Sequence, residues 1–379
     1  MPQLLLLLLP FAAASGWYFA YKHYHLPEKS SASEQAGYFK GLNYLLNEQP
    51  DKAIDVFIEL LEVDDETLDI HLALGTLFRQ RGEVEKSIRI HQNLIARPQI
   101  TEETRFSVLN ELGLDYMRAG LLDRAENIYL ELEAVKSHEM AAIKQLLAIF
   151  QQEKEWLKAI EYALKLEVIS QAKTPVILAH LHCEMALANQ QEDVNAATNY
   201  LRKALKIDPL CVRANVLSAE ISMAAEDYKS ALKVLMKIDE QDPRFTPVYL
   251  DMLIDCFDRL GKAKQKFNFL EGLQATHASS LVLQRFVEAL LVKEGRVEAV
   301  KFMRSRLAKT AQHNHLKLYA RLALVDSVGA EDAFLCGVLK QLDDDISSFQ
   351  CQQCGFTSSN LNWCCPSCKQ WGESEPCLV

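Results

Sequence analysis

Two pairs of cysteines near the end of the chain have the spacing of a metal site. Cys351 and Cys354 form one C-x-x-C unit, and Cys365 and Cys368 form a second one ten residues later. Each unit places two sulfur atoms on one tight turn, and two such turns give a tetrahedral set of four thiolates. Zinc and a single rubredoxin-type iron both accept this geometry, so the spacing does not choose the metal. Four protein ligands leave no open coordination position, which argues against hydrolysis at this metal.

The residues between the cysteines suit two such turns. Gly355 favours a positive φ after the first pair, and Pro366 restricts the backbone of the second. Phe356, Trp363 and Trp371 are candidates to cover the site. The alternatives are two disulfides or reactive thiols, and a reducing cytoplasm disfavours disulfides.

The other cysteines are predicted not to bind metal. Cys364 adjoins a ligand, but Cys365-Pro-Ser-Cys368 gives the cleaner turn, and Cys377 is extra. Four more lie at large, irregular spacings in predicted helices, where a free thiol usually behaves as a small buried apolar group; these are Cys183, Cys211, Cys256 and Cys336. His180 and His182 precede Cys183, but positions two apart point to different faces of a helix, so they make a poor metal site.

A recurrence of about 34 residues runs through the part of the chain that must position the cysteine tail. Aromatic residues at positions 44, 78, 116 and 150 follow one another at intervals of 34, 38 and 34. Ala125 and Tyr129 follow Tyr116 as the small and large residues expected on the second helix of a tetratricopeptide (TPR) unit. Ser87 and His91 follow Phe78 as a polar variant. The sequence therefore predicts an all-α TPR solenoid of roughly eight or nine helix pairs.

Composition limits the function classes. The formal net charge of −10 makes the chain a poor candidate for nucleic-acid binding or broad adhesion to anionic lipid, both of which need a basic face. No nucleophile–base pair and no glycine-rich phosphate loop stands out in the repeats. We therefore expect a protein that is not an enzyme.

The first residues predict a membrane anchor. Residues 4–21 are almost continuously apolar, and about 18 helical residues extend about 27 Å, enough to cross a bilayer core. A cleaved signal peptide is the alternative, but residues 1–3 lack its basic segment. Lys22 and Lys29 follow the span, so the bulk of the chain is expected on the cytoplasmic side.

The predicted domain order has four parts. Residues 1–21 form the transmembrane anchor and 22–35 a short polar linker. Residues 36–345 form the TPR solenoid, and 346–379 form a rubredoxin-like or zinc-ribbon metal-binding domain.

Several motifs together resemble the lipopolysaccharide assembly protein B family over nearly the whole length. They are Pro10 with Gly16-Trp17-Tyr18, residues 78–92 and 112–126, and the cysteine motif at 351–368. Two departures are the few basic residues after the anchor and Ser87 in place of alanine. The resemblance implies a single-pass inner-membrane protein with a cytoplasmic TPR domain and a rubredoxin-like metal domain packed on it.

The resemblance also implies an adaptor that promotes degradation of the lipid A pathway deacetylase LpxC by the membrane protease FtsH. Such an adaptor can also gather lipopolysaccharide-synthesis enzymes at the membrane. We expect partner contacts on a surface at the first complete repeat, formed by Arg79, Arg81, Glu83, Arg89 and His91. Homo-oligomerisation is left open. The alternative function is rubredoxin-type electron transfer or iron sensing on a TPR scaffold.

Overall fold

The computed structural model describes most of the predicted repeats and the cysteine tail. The described residues are 65–98, 100–277, 279–309, 313–323 and 349–377, with scattered single residues between 15 and 56. They fall into two compact units, Met1–Gln152 and Glu153–Val379, and each is described by itself. The predicted boundaries at 21/22, 35/36 and 345/346 remain predictions, because they lie outside the described residues.

The described part of the first unit contains five helices, each packed against the next in the chain. They are α1 (Asp65–Gln80), α2 (Val84–Ile95), α3 (Glu102–Ala119), α4 (Leu122–Glu133) and α5 (Glu139–Gln152). In addition, α1 contacts α3, so the first helices of successive pairs lie side by side. This is the arrangement of TPR helix pairs that the recurrence predicts.

The described part of the second unit continues with ten helices and ends in a small sheet. The helices are α6 (Trp156–Ser170), α7 (Pro175–Asn189), α8 (Val194–Ile207), α9 (Val212–Ala224), α10 (Tyr228–Gln241), α11 (Thr246–Arg259), α12 (Ala263–Thr276), α13 (Ser280–Glu294), α14 (Arg296–Lys309) and α15 (His313–Ala323). A short 3-10 turn at Pro243–Phe245 precedes α11. The strands are β1 (Phe349–Cys351), β2 (Thr357–Ser358) and β3 (Ser374–Pro376).

One backbone turn recurs between the two helices of several pairs. At the end of α3, the N–H of Gly120 donates to the Met117 carbonyl and the N–H of Leu121 donates to the Tyr116 carbonyl. The same pair of hydrogen bonds occurs at Gly82, Glu226 and Gly261. These residues have positive φ, a conformation that glycine adopts without steric cost. The turn lets the second helix fold back antiparallel on the first.

Close contact between paired helices depends on glycine in the first helix. A Cβ added to Gly113 in α3 would lie 2.7 Å from the ring of Tyr129 in α4. In the preceding pair, a Cβ on Gly75 would lie 2.3 Å from His91. Tyr129 and His91 are both fully buried, so each ring fills the space that the opposite glycine leaves.

Several sequence predictions about the helices are confirmed. Helices α8 and α10 end two residues before Pro209 and Pro243, respectively. Cys183, Cys211 and Cys256 are buried free thiols, although Cys211 lies at the start of α9 and not within a helix. Cys336 lies outside the described residues.

The predicted anchor cannot be followed through its length. Of residues 4–21, only Ser15, Trp17 and Tyr18 are described, and all three are helical. Among the helices that the structure does describe, none is both long enough and apolar enough to span a bilayer.

Candidate metal centre

The first cysteine pair lies on a turn between β1 and β2. These strands pair antiparallel, and β1 also pairs antiparallel with β3, giving the order β2-β1-β3. The N–H of Cys351 donates to the Phe356 carbonyl at 2.8 Å, and the N–H of Gly355 donates back to the Cys351 carbonyl at 2.8 Å. Gly355 has a φ of 76°, as the sequence predicts. The Cys351 and Cys354 side chains therefore lie on the same side of this turn.

The second cysteine pair lies on a turn with the same hydrogen bonds. The N–H of Cys365 donates to the Gln370 carbonyl, and the N–H of Lys369 donates to the Cys365 carbonyl, both at 2.9 Å. Lys369 takes the position of Gly355 and also has a positive φ, 60°. The two turns are therefore equivalent local structures, which is why C-x-x-C recurs.

The two turns bring four thiols together. All four Sγ atoms lie within 4.8 Å of one another. The Cys351–Cys368 and Cys354–Cys365 sulfur pairs are 3.7 and 3.6 Å apart, and all four cysteines are free thiols. Four sulfur atoms bound tetrahedrally at about 2.3 Å from a metal lie about 3.8 Å apart. The donor set therefore fits one ion, and it can hold zinc or iron.

The electrostatics of the cluster favour a bound cation. The N–H of Phe356 and then the neighbouring thiols lower the pKa of Cys354 to about 7. The N–H of Gln370 acts to lower the pKa of Cys368, but burial and the other thiols together outweigh it and raise that pKa to about 12. Four crowded thiols therefore resist losing all their protons unless a positive charge offsets the repulsion.

Cys364 lies outside this cluster. Its Sγ donates to the Lys369 carbonyl at 3.6 Å, so the thiol points into the backbone of the second turn. Among the described residues, the four-cysteine set is the group of His, Cys, Asp or Glu side chains that converge as metal ligands. His180 and His182 do not join it, as the sequence analysis expects.

The cysteine domain is packed on the helices of the second unit, and His180 of α7 is central to the contact. The His180 imidazole lies 5.4 Å from the Trp371 ring, nearly parallel to it, and 5.8 Å from the Trp363 ring. Gly372 fits against α7 so closely that an added Cβ would lie 3.0 Å from Val176. Trp363 and Trp371 therefore pack against α7, whereas Phe356 is exposed.

Charged residues also take part in the contact between the cysteine domain and α7. Arg213 of α9 is buried, stacks 5.7 Å from the centre of the Trp371 ring, and pairs with Glu184 of α7 at 2.7 Å. Burial, and then the charge of Arg213, lower the pKa of His180 to about 3. The imidazole is therefore neutral at physiological pH, which avoids a buried positive charge beside Arg213.

The cysteine domain also packs on the turn before α11. The ring of Trp363 stacks on Phe245 at 5.5 Å with an interplanar angle of 14°. Arg244 pairs with Glu375 of β3 at 2.6 Å and with Asp242 at 2.8 Å. The sequence offers little indication of the contacts that Trp363 and Glu375 make here, since each joins residues more than a hundred positions apart with no periodic pattern.

The five predicted partner-binding residues do not share one surface. Arg81 and Arg89 are exposed, and Glu83 is partly exposed and pairs with Lys86 at 2.6 Å. Arg79 is turned toward α3, and the side chain of His91 is fully buried. The structure thus places His91 in the core.

Two of the five residues, Arg79 and His91, contact the carboxylate of Asp115 in α3. His91 Nδ1 lies 2.5 Å from one Asp115 oxygen, while Arg79 and Ser87 donate to the other at 2.8 and 2.7 Å. Arg79 also pairs with Glu111 at 2.6 Å. Asp115 is not among the predicted site residues, although the equivalence of His91 with Tyr129 indicates a buried position.

Comparison with known proteins finds relatives that cover nearly the whole chain. A tetratricopeptide repeat family model matches residues 188–253. Lipopolysaccharide assembly protein B of Escherichia coli (strain K12) is 34% identical, covering 99% of this chain and 98% of that protein. The Haemophilus influenzae protein of the same name is 33% identical with the same coverage. A solved tetratricopeptide repeat protein from Parabacteroides merdae has a TM-score of 0.36 at 14% identity, covering 68% of this chain and 98% of that one.

Proposed function

Because the chain belongs to the lipopolysaccharide assembly protein B family, we propose that it is a non-enzymatic, membrane-tethered adaptor in lipopolysaccharide synthesis. In this proposal it promotes FtsH-dependent proteolysis of LpxC and gathers lipopolysaccharide-assembly enzymes at the inner membrane. The observation that carries the proposal is the similarity over 99% of the chain, which includes both the repeats and the cysteine tail. Stacked helix pairs offer extended surfaces for protein partners, in keeping with this role.

The metal domain has a structural part in the proposal. Cys351, Cys354, Cys365 and Cys368 would hold one zinc or iron ion, which would neutralise their negative charge and fix the two turns. The ion would have four protein ligands and no site for water or substrate. Its contribution would then be to keep Trp371 and Trp363 pressed on the helices.

A membrane anchor would allow the adaptor to capture its membrane partners even through weak contacts. An anchor at residues 4–21 would confine the helices to the inner face of the membrane, with the C-terminal domains in the cytoplasm. Confinement raises the effective concentration of membrane-bound partners such as FtsH without any new contact. Removing residues 1–21 should therefore reduce activity in cells while leaving the helices folded.

The first described repeat remains our proposed partner surface, in a modified form. Arg81 and Arg89 are exposed and can contact a partner directly, with Glu83 at the edge. Arg79 and His91 would act from inside, because both contact Asp115 and so fix α1 and α2 against α3. We expect Arg81→Glu with Arg89→Glu to weaken partner capture. Arg105→Glu, at an exposed position of α3, is the matched control.

The test is the half-life of LpxC after translation is blocked, in cells with and without this protein. We expect a longer half-life on depletion and recovery with the full chain. Recovery should be smaller with the double variant at Arg81 and Arg89 than with the Arg105→Glu control. An unchanged half-life on depletion would overturn the degradation-adaptor proposal and leave assembly of enzymes as the remaining role.

A further inference from the structure

A groove between α11, α12 and α13 has the size and lining of a ligand site. Its volume is about 580 Å³, within the usual range for binding pockets. Phe267 and Leu270 of α12 line it together with Ile254 of α11 and Ala289 of α13. Val292 also lines the groove and is 90% exposed. An aliphatic side chain in that position gains nothing from the fold, but it would gain from a ligand that covers it.

Each acidic group of the groove already has a basic partner. Arg285 donates to both oxygens of Asp251, at 2.7 and 3.0 Å, and to Glu288 at 3.0 Å. Lys266 forms an ion pair with Asp258. A positively charged ligand would therefore have to compete with these pairs for the carboxylates.

One basic group remains available. Lys264 lines the groove in the first turn of α12, is exposed, and has no ion pair with a carboxylate of the described residues. Lys293, on the opposite wall, lies 3.6 Å from the centre of the Phe267 ring and 3.2 Å from Glu294. The groove thus combines an apolar floor with a free positive charge at its edge.

We propose that this groove binds an extended peptide segment of a protein partner in which an aliphatic side chain is followed by a carboxylate. The aliphatic side chain would enter between Ile254 and Ala289 and rest on Phe267, while Val292 covers its outer side. The carboxylate would meet Lys264. The proposal rests on the proposed adaptor function and names one site at which such an adaptor takes hold of a partner.

The test uses the full chain in nanodiscs of phosphatidylcholine, whose zwitterionic surface does not attract a charged probe. Three fluorescein-labelled peptides are titrated by anisotropy: a Ser-Gly peptide with Leu-Glu at its centre, and the same peptide with Ser-Glu or Leu-Lys. We expect the Leu-Glu peptide to bind at least tenfold more tightly than either of the others. Equal affinity for the three peptides would overturn the proposal.

Three variants test the position of the site. Val292→Glu should weaken binding of the Leu-Glu peptide at least tenfold. Val297→Glu, at a position on α14 that is 79% exposed and outside the groove, should change it less than twofold. Lys264→Glu should reverse the charge preference, so that the Leu-Lys peptide binds more tightly than the Leu-Glu peptide. A general loss of folding cannot produce that reversal.

Failure of this inference and failure of the adaptor function give different results. If the three peptides bind with equal affinity but the LpxC half-life still depends on this protein, only the groove assignment is wrong. If the Leu-Glu peptide binds as expected but the half-life is independent of the protein, the groove stands and its partner lies outside LpxC turnover. If Val292→Glu and Val297→Glu weaken binding equally, the site is elsewhere.

Discussion

The paired helices bury apolar side chains between them, whereas the cysteine domain is arranged around four thiols. In α4, Tyr129 and Leu132 are fully buried against neighbouring helices. In residues 349–377 the buried apolar side chains are Cys351, Cys365 and Trp371, and the ring of Trp371 packs on His180 and Arg213 of other elements. The comparison indicates that the helices hold themselves together by packing, and we expect the cysteine domain to need both a metal and the helices beneath it.

The largest expected effect is the loss of one metal ligand. Cys365→Ser should abolish stoichiometric metal binding and make the tail sensitive to protease, because the thiols then cannot complete a four-sulfur site. The thermal transition of the helices should change little. Metal content by mass spectrometry and limited proteolysis of the full chain measure both effects.

Cys364→Ser is the control for this variant. Its thiol is adjacent in sequence but contacts the Lys369 carbonyl and not the cluster. Full metal content after Cys365→Ser, or equal loss after Cys364→Ser, would refute the ligand assignment.

The identity of the native metal separates the structural role from the alternative of electron transfer. The purified protein should contain one metal ion per chain. Zinc as the native metal would remove the electron-transfer and iron-sensing hypotheses, because zinc has no redox chemistry in proteins. A native iron site that cycles between two oxidation states would support them.

The first helix pair is a polar exception within the packed region and offers the next largest effect. Asp115→Asn removes the charge that faces both Arg79 and His91, and should destabilise the fold by about 3–5 kcal/mol, as expected for breaking a buried ion pair. Asp123→Asn, at an exposed site on α4, should change the free energy of unfolding by less than about 0.5 kcal/mol. Urea denaturation measures the difference. Similar effects of the two variants would mean that the Asp115 cluster adds no net stability.

The glycine contacts test whether packing holds the repeats. Gly113→Ala should destabilise by about 1–3 kcal/mol, because its Cβ must displace the buried Tyr129 ring. Gly272→Ala in α12 is the control: no atom outside its own helix backbone lies within 4 Å of the new Cβ. That variant should be neutral or stabilising by up to about 1 kcal/mol. Metal content should be normal in both, and a Gly113→Ala protein as stable as wild type would contradict the packing argument.

The contact between the two regions should weaken in acid. Because burial and Arg213 lower the pKa of His180 to about 3, its neutral form stabilises docking. That stabilisation is present above the unfolded-state pKa of about 6.5 and is lost progressively as the pH falls toward 3. From pH 7 to 5 the loss is at most about 2 kcal/mol.

Fluorescence of Trp363 and Trp371 at saturating zinc should report this change. His180→Phe retains an aromatic ring without a titrating group, so it should remove most of the pH dependence between 7 and 5. An identical pH profile in the wild type and the His180→Phe variant would show that another group is responsible.

Much of the fold can be predicted from residue spacing, because the repeating patterns relate residues that are close together in the sequence. The interval between aromatic residues predicts the helix pairs, and paired C-x-x-C units predict the thiol cluster, because each concerns residues on one turn or on neighbouring helices. His91 is predicted on a partner surface, but it stands where Tyr129 stands in the next repeat, and the structure buries it there. Its burial depends on Asp115, which lies on another helix.

The docking of the cysteine domain could not be predicted in the same way. His180 and Trp371 are separated by most of the second unit, and no periodic pattern relates them. The groove at Val292 likewise arises only when α11, α12 and α13 are assembled. Such sites depend on long-range packing, which local periodicity does not report.

Amide hydrogen exchange of the full chain, with and without a chelator, tests the central comparison most directly. We expect chelation to remove protection from the backbone amides of residues 349–377, including the amides of Cys351 and Cys365 that close the two turns. The amides of α9 and α10 should keep their protection, because these helices have their own packed core. Unchanged protection of residues 349–377 after the metal is removed, or equal loss in both regions, would contradict this account.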